Sequence, residues 1–167
     1  MKVQFYLTDA TYRVMKGKAV VHLYGRTPDG EQIAVHDATF EPYFYVRPND
    51  AEQAKKELLA LSVQEKRDEY HVVRIEDVTK NVNERSTQLL KVIVNIPSGV
   101  PLLKDAIKDS AAVRECYEYD IKFVRRYLID KNLQPMTLIE ATGEVVQEKS
   151  RVKVIRATHV KQASDAT

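Results

Sequence analysis

The segment YEYDIKFVRRYLIDKNLQPM, residues 117–136, sets aromatic rings and cations side by side where a helical pattern begins. On a helix, Lys122, Arg125 and Arg126 stand at i, i+3 and i+4 and share one face. Phe123, Val124, Tyr127 and Leu128 form the apolar counterpart. One face can therefore dock while the other offers cations. That combination suits a nucleic-acid strand, since cations meet phosphate and rings stack on bases. Tyr43, Tyr45, Tyr117 and Tyr119 lie on strand-like runs and add further rings. An amphipathic helix whose bases merely solvate a surface fits the same pattern. Periodicity alone leaves both readings open.

Other chemistries find little support. There is no GxGxxG or GxxxxGK[ST] motif, and five glycines leave little material for a phosphate cradle. His22, His36, His71 and His159 are scattered without metal-ligand spacing. The single cysteine, Cys116, excludes an internal disulfide and a thiolate cluster, and it reads as a small buried strand residue. The carboxylates alternate with bases along helical stretches, as on a solvated face. No catalytic residue, no metal ligand and no cofactor is expected within these residues. With 26 basic and 24 acidic residues the formal charge is only +2, so an anionic partner has to rest on a local patch. No stretch reaches the ~20 apolar residues of a membrane span. No signal peptide is visible at the N-terminus, so no membrane partner and a cytoplasmic location are expected.

The elements that must position these groups follow from pattern. Residues 19–25 and 31–37 read as a hairpin around Pro28-Asp29-Gly30, with Gly30 taking positive φ. FEPYFYVRP, residues 40–48, is an aromatic strand entered at Pro42, which cannot donate to a ladder. Residues 49–62 are helical, capped by Asn49 or Asp50. Residues 70–78 and 89–96 are β-branched strands, with polar 79–88 as the loop between them. Residues 97–109 start a second helix, with Ser98 as its cap and Pro101 in its first turn. Residues 112–119 form a strand. Asp120 caps a final helix that Asn132 closes in the left-handed conformation, and Pro135 prevents its continuation. From Phe40 onward the order is strand, helix, strand, strand, helix, strand. The expected fold is thus α+β, a ferredoxin-like split βαβ with a four-stranded antiparallel sheet and two helices. A β-hairpin precedes it, and a capped helix and a β tail (137–146 and 151–160) follow. The last residues, KQASDAT, offer nothing to pack, as in an excised piece.

FEPYFYVRP, PSGVP and VRECYEYDIKFVRRYLIDKNLQPM resemble, in this order and at nearly this spacing, the N-terminal domain of archaeal family B DNA polymerases. The resemblance covers most of residues 9–136 and is most specific over 113–136. It implies a template-binding domain at 1–136 and a connector at 137–167, leading toward an exonuclease domain. The family's Asp-Ile-Glu exonuclease strand and its polymerase carboxylates are not among these residues. The parent would be a DNA-directed DNA polymerase with 3′–5′ exonuclease, using magnesium in its catalytic domains, while this piece is itself no enzyme. In archaeal members this domain captures template uracil ahead of synthesis. Matching the family's pocket positions one by one assigns uracil or template contact to Tyr12, Pro42, Tyr43, Pro97, Val100, Ile121, Phe123 and Arg126. Lys122 and Arg125 are assigned to phosphate. Lys122 stands where the family often has Pro. The partners implied are single-stranded template DNA and the remaining exonuclease and polymerase domains.

Two other functions compete. An RNA-binding module of the RRM kind shares the element order, with Tyr43 and Tyr45 as stackers, though LLKVIVNI lacks the expected aromatics. A purely structural domain bracing the catalytic parts is the third.

Overall fold

The computed structural model describes residues 1–147 and 152–163, the side chain of Gln147 excepted. Two units emerge, one from Met1–Phe40 with Lys122–Thr167 and one from Glu41–Ile121.

The first unit is a closed barrel. Its strands are β1 (Lys2–Met15), β2 (Lys18–Arg26), β3 (Gln32–Asp37), β9 (Leu138–Gln147) and β10 (Lys153–Gln162), in the order β1-β2-β3-β10-β9. All neighbours are antiparallel except β3 and β10, which run parallel. Alternate residues point inward, as strand geometry requires, so Phe5, Leu7, Val21, Leu23, Ile33, Val35, Ile139 and Ile155 make one buried cluster. Helix α3 (Phe123–Asp130) adds Phe123 and Tyr127 to it. The expected hairpin and β tail are therefore not appendages, and residues 2–15 form a strand that the pattern did not announce. A two-stranded ribbon cannot bury its apolar face alone, and closure with β1, β9 and β10 solves this while removing both edges. The described part of 137–167 supplies β9 and β10 of the barrel wall. Gln162 also packs, donating from Nε2 to Thr137 Oγ1 at 2.8 Å and to the Leu138 carbonyl at 2.9 Å. Residues 148–151 and 164–167, which hold parts of the expected tail, lie outside the described residues.

The second unit is a sheet with two helices. Its elements are β4 (Tyr43–Pro48), α1 (Ala51–Ala60), β5 (Ser62–Glu65), β6 (Asp68–Val82), β7 (Arg85–Val94), α2 (Gly99–Ile107) and β8 (Val113–Tyr117). The strand order is β5-β6-β7-β4-β8, antiparallel throughout. Ala54 and Leu58 of α1 and Val100, Leu103 and Ile107 of α2 pack with Phe44, Val46, Leu90, Val92 and Val94 of the sheet. The class is α+β. The sheet has five strands rather than the expected four, because Ser62–Glu65 folds back on β6. The expected loop 79–88 is mostly ladder: β6 and β7 pair down to Val82 and Arg85. Asn83 (φ 51°) and Glu84 (φ 66°) make the reversal, both left-handed as a primed two-residue turn demands.

Local signals decide the helix ends. Asp50 Oδ1 accepts from the Gln53 N–H at 3.1 Å and starts α1. Ser98 precedes α2 without a side-chain cap; its hydroxyl donates to the Tyr70 hydroxyl at 3.1 Å. Asp120 does not cap α3 either. Lys122 is extended (φ −60°, ψ 142°) and sits at that boundary with no side-chain cap bond. Asn132 does close the segment in the left-handed conformation, at φ 53°.

Candidate functional site

The candidate residues divide between the two units. The barrel unit holds Tyr12, Lys122, Phe123, Arg125 and Arg126; the sheet unit holds Pro42, Tyr43, Pro97, Val100 and Ile121.

In the barrel unit, α3 turns Phe123, Arg126, Tyr127 and Asp130 to one stripe, at i, i+3, i+4 and i+7. Arg126 is therefore not on the cationic face expected from sequence. It is 6% exposed, and its Nη1 lies 3.8 Å from Asp130 Oδ1. Bracing the helix fits this placement better than holding a phosphate. Lys122 and Arg125 remain exposed. The Tyr12 ring meets the Phe123 ring edge-on, at 5.1 Å and 73°. Phe40 completes the cluster, 5.4 Å from Phe123 and 5.1 Å from Tyr127. Phe123 is buried while Tyr12 is 37% exposed, so solvent reaches this ring pair from the Tyr12 side. Beneath it, the Tyr127 hydroxyl donates to Asp37 Oδ2 at 2.7 Å. Burial first, then the neighbouring Asp37 carboxylate, pushes the Tyr127 phenol far above its ordinary pKa, so it stays a donor.

In the sheet unit, Pro42 and Pro97 are buried and Ile121 is half-buried. The Val94 N–H donates to the Pro42 carbonyl at 2.9 Å, at the mouth of β4. The Val100 N–H donates to the Pro97 carbonyl at 3.1 Å, tightening the turn into α2. Val100 itself is buried in the apolar cluster of this unit. Gly99 beside it lies against Tyr70, whose ring carbons would be 2.7 Å from an added Cβ. Tyr43 and Tyr45 are 8% and 4% exposed, each with a lysine over its face: Lys91 Nζ at 4.3 Å and Lys80 Nζ at 4.2 Å. Those faces are taken by cations rather than offered to bases. Tyr117 donates to Glu115 at 2.7 Å, and Lys104 Nζ stands 3.9 Å above Tyr119. Burial raises the Cys116 thiol to about 11, which keeps it an inert thiol at neutral pH.

Sequence reasoning missed one feature of the barrel unit. His22 and His36 stack at 3.9 Å and 13°. His22 is buried, its Nδ1 is 3.3 Å from the Tyr24 hydroxyl, and its Nε2 has no hydrogen-bond partner. Burial, then the neighbouring His36 and Arg13, lower the His22 pKa; burial and then Arg13 lower that of His36. The signal was present: the two histidines are equidistant from Asp29 of the predicted turn, so hairpin register alone pairs them.

Among the described residues, no group of three or more His, Cys, Asp and Glu stands close enough to hold a metal ion. Among them, too, no helix is long and apolar enough to cross a membrane. A cavity of about 210 Å³ in the sheet unit lies between Pro48, Ala51, Val78 and Leu89, and none of the candidate residues lines it.

The class these units define is α+β. No protein-family model matches the chain. Individual relatives do. A DNA polymerase of Thermococcus kodakarensis is 36% identical over 130 residues, covering 78% of this chain and 8% of the relative. A DNA polymerase of Thermococcus gorgonarius is 35% identical over 130 residues, 78% of this chain and 17% of that protein. DNA polymerase 2 of Aeropyrum pernix is 33% identical over 134 residues, 80% and 17%. The solved family B DNA polymerase of Pyrobaculum calidifontis superposes at a TM-score of 0.83 and 26% identity, over 95% of this chain and 20% of that one. The chain is thus related, over most of its length, to the N-terminal domain of archaeal family B DNA polymerases. It spans only about a twelfth to a sixth of the curated relatives it matches.

Proposed function

We propose that this chain is the template-reading domain of a family B DNA polymerase, binding single-stranded template and sensing uracil in it ahead of synthesis. The identity of 33–36% to archaeal DNA polymerases over some 130 residues carries this reading. On it, the chain itself performs no catalysis. Residues 137–167 lead toward an exonuclease domain, and magnesium belongs to catalytic domains outside this chain. The connectivity of the sheet unit, with β4 between β7 and β8, supports reading that unit as a split βαβ layout.

The chemistry asked of the residues is modest. A base must leave its stack, which costs less in a single strand than in a duplex. Uracil presents an acceptor at O4 and a donor at N3, where cytosine presents the reverse. Main-chain groups at Tyr43 and Ile121, fixed by the fold, would match uracil and leave cytosine unpaired, the kind of mismatch that discriminates strongly. Thymine differs by a methyl group, and packed walls reject such a group where loose ones do not. In the sheet unit, Pro42, Pro97 and Val100 are assigned to those walls; in the barrel unit, Tyr12 and Phe123 are assigned to template contact. Arg126 braces α3. Lys122 and Arg125, both exposed, are assigned to phosphate.

The test is fluorescence anisotropy of the 167-residue chain with oligonucleotides that carry one uracil or one thymine. Tighter binding of the uracil strand, by about tenfold or more for one methyl, is the expected result. Tyr12→Ala, at an exposed position, should abolish the preference and leave the circular dichroism spectrum intact. Equal affinities for the two strands would refute sensing. Absence of any single-strand binding would leave the bracing role. The RNA reading loses ground because Tyr43 and Tyr45 are buried beneath lysines.

A further inference from the structure

The β1–β2 hairpin reaches beyond the barrel. β1 pairs with β9 only over Lys2–Tyr6, and β2 pairs with β3 only from Val21 onward. Beyond Leu7 on β1 and before Val21 on β2 the two strands pair only with each other in the sheet, and every residue from Thr11 to Lys18 is exposed. The turn is Lys16-Gly17, both left-handed at φ 54° and 73°. This ribbon therefore contributes little to the core, and its composition answers to something else.

Its charge is one-sided. Between Asp9 and Asp29 the sequence has no acid, while Arg13, Lys16 and Lys18 crowd the tip. Among the described residues none of these three makes an ion pair. Strand alternation sorts the faces. Arg13 and Met15 share one side of β1, and Lys18 stands opposite Met15 on that same side. Tyr12 and Val14 share the other side, where Tyr12 meets Phe123. Val14 and Met15 are 45% and 50% exposed, so each face also carries an apolar side chain in solvent. Cations, exposed apolar groups and free strand edges, with no carboxylate among them, fit a polyanion that also has flat apolar faces.

We propose that the β1–β2 hairpin is a cationic arm for single-stranded nucleic acid. Arg13, Lys16 and Lys18 hold the phosphate chain of the strand whose base lies at Tyr12 and Phe123. The base next to that position lies on Val14, which shares the Tyr12 side of the ribbon, and the strand crosses the ribbon edge to reach the cations. The proposal rests on the template-binding reading, and it extends the contact surface from α3 to the opposite end of the sequence.

Counter-ion release gives the test. Single strands lose about 0.7 of a log unit in affinity per log unit of salt for each phosphate neutralised. The 167-residue chain is titrated with labelled uracil-containing and thymine-containing oligonucleotides across a range of salt, at one fixed pH of 8. The comparison is the triple variant Arg13→Gln, Lys16→Gln, Lys18→Gln. Its salt slope should fall by about 2, from three lost contacts, with the uracil-to-thymine ratio unchanged. The control is Lys66→Gln with Arg67→Gln, in the exposed β5–β6 turn, and it should keep the parent's slope. A parent that prefers uracil but whose slope survives the triple change overturns the arm and leaves the sensing reading standing. A parent without uracil preference whose slope does fall overturns sensing and upholds the arm. A parent that binds no single strand, or a control that lowers the slope equally, overturns the arm.

Discussion

Tyr127 donates its hydroxyl to Asp37 Oδ2 at 2.7 Å, and both side chains are completely buried in the barrel unit. The second oxygen, Oδ1, accepts from the main-chain N–H and the hydroxyl of Thr39. A carboxylate at the end of β3 is thereby tied to the middle of α3, which also carries Phe123. Tyr127→Phe keeps the ring and removes the donor, leaving a buried acceptor short of one partner. It should lower unfolding stability by about 1.5–3 kcal/mol, the range for hydrogen bonds to charged groups. Thr39→Val, at an exposed residue whose main-chain bond survives, should cost less than about 1 kcal/mol. Urea denaturation of both variants measures the contrast. Equal small losses would mean that Asp37 finds another donor.

The His22–His36 stack sets a pH dependence. Both folded pKa values lie below the unfolded value of about 6.5. In that window the unfolded chain binds more protons than the folded chain, so stability rises with pH. It is at its full value above pH 6.5 or so. It declines as pH falls through the unfolded pKa, and the decline ends once pH passes the folded values. Arg13 faces the pair, and Tyr24 contacts His22. The measurement is the urea midpoint between pH 8 and pH 5. A double variant, His22→Gln with His36→Gln, should show a flatter curve over that range. An equally steep curve would assign the effect to carboxylates elsewhere.

The parts legible in the sequence were the locally encoded ones. Asp50 three residues before Gln53, followed by Ala54 and Leu58, announces α1, and the structure places the cap there. Pro28-Asp29-Gly30 announces the first-predicted hairpin, and Gly30 does take positive φ. The barrel was not legible, because its closure depends on β3 pairing in parallel with β10 from the far end of the chain. No short-range pattern records such a pairing. The expectation of an exposed face for Arg126 failed for a different reason. Its charge suggested solvent, whereas its helical angle puts it with Phe123 and Tyr127, and Asp130 one turn later supplies the counter-charge. Tyr12 could be named only by likeness to a family; the ring partner that gives it a place, Phe123, is more than a hundred residues away in sequence.

Gly99 offers the sharpest test of the packing around the second helix. It is the first residue of α2 and is buried, and its N–H donates to the Ile96 carbonyl at 3.0 Å. A Cβ there would meet Cδ1 of Tyr70 at 2.7 Å and its Cβ and Cγ at 2.9 Å. These atoms sit near the root of the side chain, so a rotamer change cannot move all of them away. Tyr70 is buried as well, and its hydroxyl accepts from Ser98 at 3.1 Å, which holds the ring from the other end. Gly99→Ala therefore overpacks the junction, and a loss of about 1–3 kcal/mol is expected. An alanine in a helix is otherwise favoured over glycine by up to about 1 kcal/mol, so a stabilised variant would mean that the clash relaxes freely. The same change should cost less in a Tyr70→Ala background, because alanine removes Cγ and Cδ1 and leaves only the Cβ approach at 2.9 Å. Thermal and urea denaturation of the single and double variants give the coupling. Additive losses would show that Tyr70 is not what excludes a side chain at residue 99.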